Sequence, residues 1–346
     1  MSAPALKGGL LALLAAALFG LSTPLVQHFG QGLGAFTTAA LLYAGAAVVA
    51  LLMRQPPEQE AGLKRSDLPR LVAMAGFGAV IGPVALVWGL QRTSGSSASL
   101  MLTLEALFTA VLAWRLYGET MDKRVGAAMF FLFAGGVALV FEQGQAGHSQ
   151  LLGLLAVLVA TAAWGLDNTL SRGVADRDPG QVVLVKASLG ASATFVLAFL
   201  LQEPMPGIRA MLALLVIGAT GYGLSLRLYL LAQREFGAGR TGSVFAFAPF
   251  IGALGAFALG SRSGSWMLAV GGVLMLAGVV LHLFESHGHA HDHEALEHEH
   301  AHSHGDGHHL HRHEVMPSGQ HSHWHRHEPT RHEHPHVPDA HHLHSH

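Results

Sequence analysis

A helix needs about 20 apolar residues to cross a bilayer core about 30 Å thick. This chain offers that length ten times, at about 8–28, 33–53, 70–91, 96–117, 123–142, 151–172, 181–202, 209–232, 241–260 and 264–284. Ten such stretches in 346 residues leave no room for a separate soluble domain. Only 12% of the residues are charged, against about 25% in soluble proteins. The expected fold is therefore an all-α integral membrane protein with ten transmembrane helices. Glycine-rich runs such as "GFGAVIG" and "FIGALGAFALG" allow these helices to approach closely. The first stretch is longer than a signal-peptide core and lacks a clear cleavage site, so it reads as a retained span.

Basic residues set the expected orientation. Lys7, Arg54, Lys64, Arg65, Arg70, Arg115, Lys123, Arg124, Arg172, Arg177, Arg227, Arg234 and Arg240 fall on one side of a ten-span threading. Arg92, Arg209 and Arg262 fall on the other. The bias predicts a multi-pass protein of the inner (plasma) membrane with both termini cytoplasmic.

The spans contain an internal echo. "AAALFGLSTPL" in the first aligns with "ATAAWGLDNTL" in the sixth, which matches Phe19-Gly20-Leu21 with Trp164-Gly165-Leu166. Residues 89–119 align with 231–261 at nearly the same offset. The chain thus divides into two five-span units, 1–142 and 143–284, followed by a tail, 285–346. Five is odd, so the second unit enters the membrane from the opposite side. Inverted repeats of this kind mark secondary transporters, whose site lies between the halves near the midplane.

The stretch "SGSSASLMLTLEALFTAVLAWRLYGETM" is similar to the fourth-span signature of the drug/metabolite transporter superfamily, EamA type, through Glu105, Leu107, Phe108, Thr109, Gly118 and Glu119. The family often has proline after the first glutamate, where this chain has Ala106; the second repeat carries Pro249. The resemblance covers about 8–284. It implies a ten-helix transporter with a central cavity and peripheral fifth and tenth helices. The family moves amino acids, purines, amines, sugars and drugs.

Ionisable residues within a membrane are costly and usually face a cavity. Glu105 lies near the middle of the fourth span, where it would bind a cationic substrate, carry a proton, or serve as a structural hydrogen-bonding group. Asp167 and Asn168 in the sixth span match Ser22 and Thr23 in the first, and the four form candidate cavity lining or helix–helix glue. Pro24 beside them frees backbone carbonyls. Lys186 would pair with Asp167 or Glu105, or extend its amine to the cytoplasmic interface. Arg227 has the same choice at the inner mouth. Trp88, Trp164 and Tyr222 would stack on an organic substrate or act as packing. The sequence contains no nucleophile–base pair, phosphate loop or HExxH motif, so the chain does not read as an enzyme.

The tail holds 23 of the 26 histidines. Many alternate: His287, His289, His291 and His293; His298, His300, His302 and His304; His321, His323, His325 and His327; His332, His334 and His336. Alternate positions of an extended segment share a face, and imidazole suits Zn, Ni, Co and Cu. The chain has no cysteine, so thiolate ligands are excluded. The tail carries 3 Lys+Arg and 10 Asp+Glu, a balance that attracts cations and excludes nucleic acid as a partner. Having no apolar face, the tail is expected to be disordered without metal.

These readings converge on a secondary transporter of a small metabolite or drug-like solute, an exporter with a cytoplasmic metal-binding tail. It requires no cofactor; its partners are the lipid bilayer, a small-molecule or cation substrate, and divalent metal ions. Two alternatives stand beside it: direct export of Ni, Co or Zn, and a membrane-anchored metal store or sensor that transports nothing. The oligomeric state is not readable from the sequence.

Overall fold

A computed structural model describes residues 3–53, 60–117, 123–174, 177–236, 238–261 and 265–283, together with 287–293, 296–302, 321–327 and 330–336 in the tail. Among the described residues, nine helices are long and apolar enough to cross a membrane: α1 Leu6–Phe29, α2 Ala35–Leu52, α3 Arg65–Leu90, α4 Gly95–Leu116, α5 Lys123–Ala146, α6 His148–Ser171, α7 Pro179–Leu200, α8 Ile208–Gln233 and α9 Thr241–Ala258. A shorter apolar helix follows, α10 Trp266–Leu281. Each of the ten stretches expected to span is thus helical.

Local chemistry marks the helix starts. Ser94 caps α4 by accepting the Ser97 N–H at 3.0 Å. Asp178 accepts the Gly180 N–H at 2.7 Å and precedes Pro179, whose missing N–H costs nothing in a first turn. At the start of α2 the cap comes from a distant loop. The Glu203 carboxylate accepts the N–H groups of Phe36 at 3.3 Å and Thr37 at 2.7 Å.

The packing exchanges evenly between the halves. α5 packs on α10 and α2 on α7, while α1 meets α8 and α9 as α6 meets α3 and α4. Irregularities recur at a similar spacing. A π-helical segment occupies Ala75–Ile81 in α3 and another Gly218–Leu224 in α8. α4 breaks between Met101 and Leu104, and α9 between Phe245 and Ala248. In α9 the cause is Pro249, which has no N–H for the preceding turn. In α4 the Leu102 N–H is shared between the Ala98 and Ser99 carbonyls, so the turn tightens without a proline.

Tertiary bonds identify the two ends of the bundle. At the end rich in basic residues, Arg177 pairs with Asp67 at 2.9 Å and the Asp178 N–H donates to the Ala61 carbonyl at 2.8 Å. At the other end, Gln27 donates to the Leu90 and Thr93 carbonyls at 2.8 and 3.1 Å, and Gln91 donates to the Leu33 carbonyl at 2.7 Å. Arg54, Gly118, Glu119 and Arg262 lie outside the described residues.

Four short segments of the tail are described. They form four strands, β1 His287–His293, β2 Leu296–His302, β3 His321–His327 and β4 Thr330–His336. β1 pairs antiparallel with β4 and β2 with β3. His289 is registered opposite His334, and His300 opposite His323. The two-residue period of the histidines is also the period of a strand. His304 lies outside the described residues.

Candidate functional site

The centre of the site follows from one proline. In the π-helical segment of α3 the Gly82 N–H donates to the Phe77 carbonyl, five residues back. Continuing that pattern would require an N–H at position 83 for the Gly78 carbonyl, but position 83 is proline. The Gly78 carbonyl is therefore left without its helical partner. Two side chains take it: the Tyr43 hydroxyl donates at 2.5 Å and the Trp164 indole N–H at 2.9 Å. Thus α2, α3 and α6 are joined at one oxygen atom.

Beside this carbonyl lies a buried ion pair. The Lys186 ammonium of α7 donates to Asp167 Oδ2 of α6, with both side chains 6% exposed. Asp167 Oδ1 is buried and accepts no hydrogen bond. A Cβ at Gly78 would overlap the Asp167 carboxyl and lie 2.8 Å from the Lys186 amine, so only glycine fits against the pair. One residue along α6, the Asn168 amide donates to Glu105 Oε1 of α4 at 2.5 Å. Two acids, one base and one amide thus converge from α4, α6 and α7 (one more acid than base).

Aromatic rings close the opposite side. Phe19 of α1 meets Trp164 and Tyr222 edge-on at 5.7 and 5.9 Å and Phe245 at a tilt at 5.5 Å. Tyr222 also meets Tyr43 at 5.5 Å. Phe19 and Trp164 are the residues matched between the two internal copies, and here they touch. Ser22, matched to Asp167, donates to the Phe19 carbonyl at 2.6 Å and lies under Gly221 of the α8 π segment, as Asp167 lies under Gly78. Thr23 is fully enclosed beside it.

Not all expected lining residues gather here. Ser22, Trp164, Asp167, Asn168, Lys186, Glu105 and Tyr222 belong to the cluster. Trp88 lies exposed at the far end of α3, where the Arg92 guanidinium covers its ring at 3.7 Å. Arg227 donates to the Met53 carbonyl at 2.6 Å at the basic end, and so fastens α8 to α2. Lys186 has its amine inside, not at the interface. Phe19, matched to Trp164 in the repeat, completes the site with Tyr43, Gly78 and Phe245, which were not singled out from sequence. The one available signal was Pro83 after a glycine-rich run. Among the described residues, no three His, Cys, Asp or Glu side chains come together to hold a metal ion.

The family model for the EamA-like transporter family matches residues 6–141 and again 151–284. The chain belongs to this family. Two curated relatives are described as transporters. An uncharacterized transporter of Methanothermobacter thermautotrophicus is 28% identical over 286 residues, covering 76% of this chain and 82% of that protein. The uncharacterized transporter YyaM of Bacillus subtilis is 27% identical over 282 residues, covering 76% and 88%. A solved crystal structure, 20% identical, shares the fold with a TM-score of 0.57 over 81% of this chain and 95% of its own. This EamA-like chain is a multi-pass membrane transporter, not an enzyme, whose environment is lipid and whose substrate is a small molecule.

Proposed function

We propose that this EamA-like transporter exports a small metabolite or drug-like solute by alternating access of two inverted five-helix repeats, 1–142 and 143–284. The observation that carries the reading is the buried cluster of Glu105, Asn168, Asp167 and Lys186 where the halves meet. Burying charge in a membrane is costly, at least about 2.5–3.5 kcal/mol per residue at a helix centre. A protein that merely anchors a tail has no use for that cost, which disfavours the non-transporting store. Matched π segments, matched helix breaks and the Phe19–Trp164 contact all support an axis through this cluster. The ion-pair side of the cluster is closed in this conformation, with Trp164, Asp167, Lys186 and Tyr222 each at most 6% exposed, while Glu105 and Asn168 are partly buried. An alternating-access protein passes through such a closed state. The positive-inside bias supports the inner (plasma) membrane with both termini cytoplasmic.

The histidine tail is the appendage that binds divalent metal, as Zn, Ni, Co or Cu, and no resident cofactor is needed. Its donors are imidazole and carboxylate only, a set that fits these ions. The tail also favours a second reading, in which a divalent metal is itself the cargo and the tail delivers it. Against this, the spans offer Glu105 and Asp167 and no clustered histidine.

Cellular metal content under graded Ni, Co, Zn and Cu separates the readings. The strains express the full chain, a chain ending at residue 284, and full-length Glu105→Gln. Metal that rises with the full chain and falls on truncation alone marks a binding tail beside another cargo. Metal that is lowered by the full chain, with the effect abolished by Glu105→Gln, overturns the metabolite reading and makes metal the cargo.

A further inference from the structure

A polar site that the transport reading does not use lies at the end of the bundle away from the basic residues. A cavity of about 580 Å³ opens there between the ends of α3, α5, α6 and α10, within the usual size range for small-ligand sites. Its lining includes Glu142, a carboxylate only 9% exposed. Ser265 donates to Oε1 at 2.6 Å. The donors to Oε2 are Ser97 and Gln143, both at 3.4 Å and both neutral. Among the described residues no cation is ion-paired with Glu142. A buried carboxylate with loose neutral partners on one oxygen is a costly arrangement unless a cation completes it.

The same cavity is lined by Arg92. Its guanidinium spends one N–H on the Trp88 carbonyl at 2.9 Å and lays its face on the Trp88 ring at 3.7 Å. The ring fixes the plane of the guanidinium, and the remaining N–H groups are left for a carboxylate. Trp266, 72% exposed, and Met267 supply an apolar wall. One fixed anion, one fixed cation and an apolar wall in one cavity match one chemistry. We infer that this cavity is a second ligand site, which takes a small zwitterion with an apolar side chain, its ammonium on Glu142 and its carboxylate on Arg92. The site is separate from the central cluster, since Gln150 on its rim and Asp167 lie about 25 Å apart along α6 at 1.5 Å per residue. It depends on neither the direction of transport nor the cargo.

The test is equilibrium binding of leucine to the purified full chain in detergent. Isopentylamine and 4-methylpentanoate serve as probes that keep the side chain but only one of the two charges. Leucine should bind at least tenfold more tightly than either. Glu142→Gln and Arg92→Gln should each weaken leucine binding at least tenfold, and Arg92→Gln should leave isopentylamine binding unchanged. Glu105→Gln, which alters only the central cluster, should leave leucine binding intact. If Glu142→Gln fails to yield a monodisperse protein, the Arg92→Gln comparison decides alone. Binding lost in Glu105→Gln but kept in Glu142→Gln and Arg92→Gln would overturn the assignment, as would equal binding of leucine and isopentylamine or no leucine binding at all.

Discussion

Removing Lys186 alone should damage the protein more than removing its whole ion pair. In the native site the Lys186 amine is the single cation against Asp167, and both groups are enclosed. Lys186→Met keeps the aliphatic volume but leaves the Asp167 carboxylate facing the Gly78 carbonyl and the tyrosine and indole that hold it. Breaking a buried pair by removing one partner typically costs about 3–5 kcal/mol, whereas replacing both by apolar groups is often neutral. The double variant Lys186→Met/Asp167→Leu should therefore recover most of that loss, with a coupling energy above about 2 kcal/mol. Reversible chemical unfolding in mixed micelles, followed by tryptophan fluorescence, reads the four stabilities. Trp164 is itself bonded at the site, so its emission reports locally as well as globally. The reasoning fails if the double variant is no more stable than Lys186→Met. That result would mean the two charges are not each other's counterion in the membrane.

Further expectations follow from the same geometry. Gly78→Ala places a methyl group against the Asp167–Lys186 pair and should abolish transport while the protein remains folded, as seen by transport assay beside size-exclusion chromatography. Pro83→Ala restores an N–H that can take the Gly78 carbonyl. Tyr43→Phe should then cost less than the roughly 1–3 kcal/mol expected in the native background, by unfolding of the single and double variants. Ending the chain at residue 284 should remove nearly all divalent-metal binding in equilibrium dialysis and leave the unfolding midpoint of the bundle unchanged. For the full chain, bound Zn or Ni should be released as pH falls through about 6.5, because protonated imidazole cannot ligate.

The spans were legible because a bilayer imposes a length and an apolar character that composition displays directly. Glu105, Asp167, Asn168 and Lys186 were legible for the complementary reason, that a charge in such a run is conspicuous. What sequence position reports is depth, not direction. Trp88 and Arg227 lie toward the two ends of the bundle and face outward and toward the end of α2, and nothing in their neighbours' identities gives that direction. Lys186 was open between an inward pair and an outward reach; its partner became definite only once α6 and α7 were side by side. Tyr43 lies in an apolar run with no distinguishing neighbour, and its role exists only because a carbonyl on another helix lacks a donor. The tail shows the limit in the other direction. Its period was visible, but the antiparallel pairing of distant segments was not.

The two halves repeat their backbone devices and differ in charge. In the first copy Ser22 lies under Gly221 of α8; in the second, Asp167 lies under Gly78 of α3, with Lys186 beside it. The hydroxyl of Ser22 donates to the Phe19 carbonyl of its own helix and needs no charged partner. Asp167 has no such local partner and must hold α7. Opening α6 away from α7 therefore breaks an ion pair, whereas opening α1 away from α8 breaks packing and neutral hydrogen bonds, such as that from Ser225 to the Ala15 carbonyl at 2.8 Å. Two inverted halves with equal backbones would have inward-open and outward-open states of similar energy. Among the described residues the Asp167–Lys186 pair has no counterpart at Ser22, and in such an arrangement it would remove that equality and make separation of the charged seam the costlier step, unless a solute or water takes the place of one partner. The free Oδ1 of Asp167 is the atom at which such a replacement would begin.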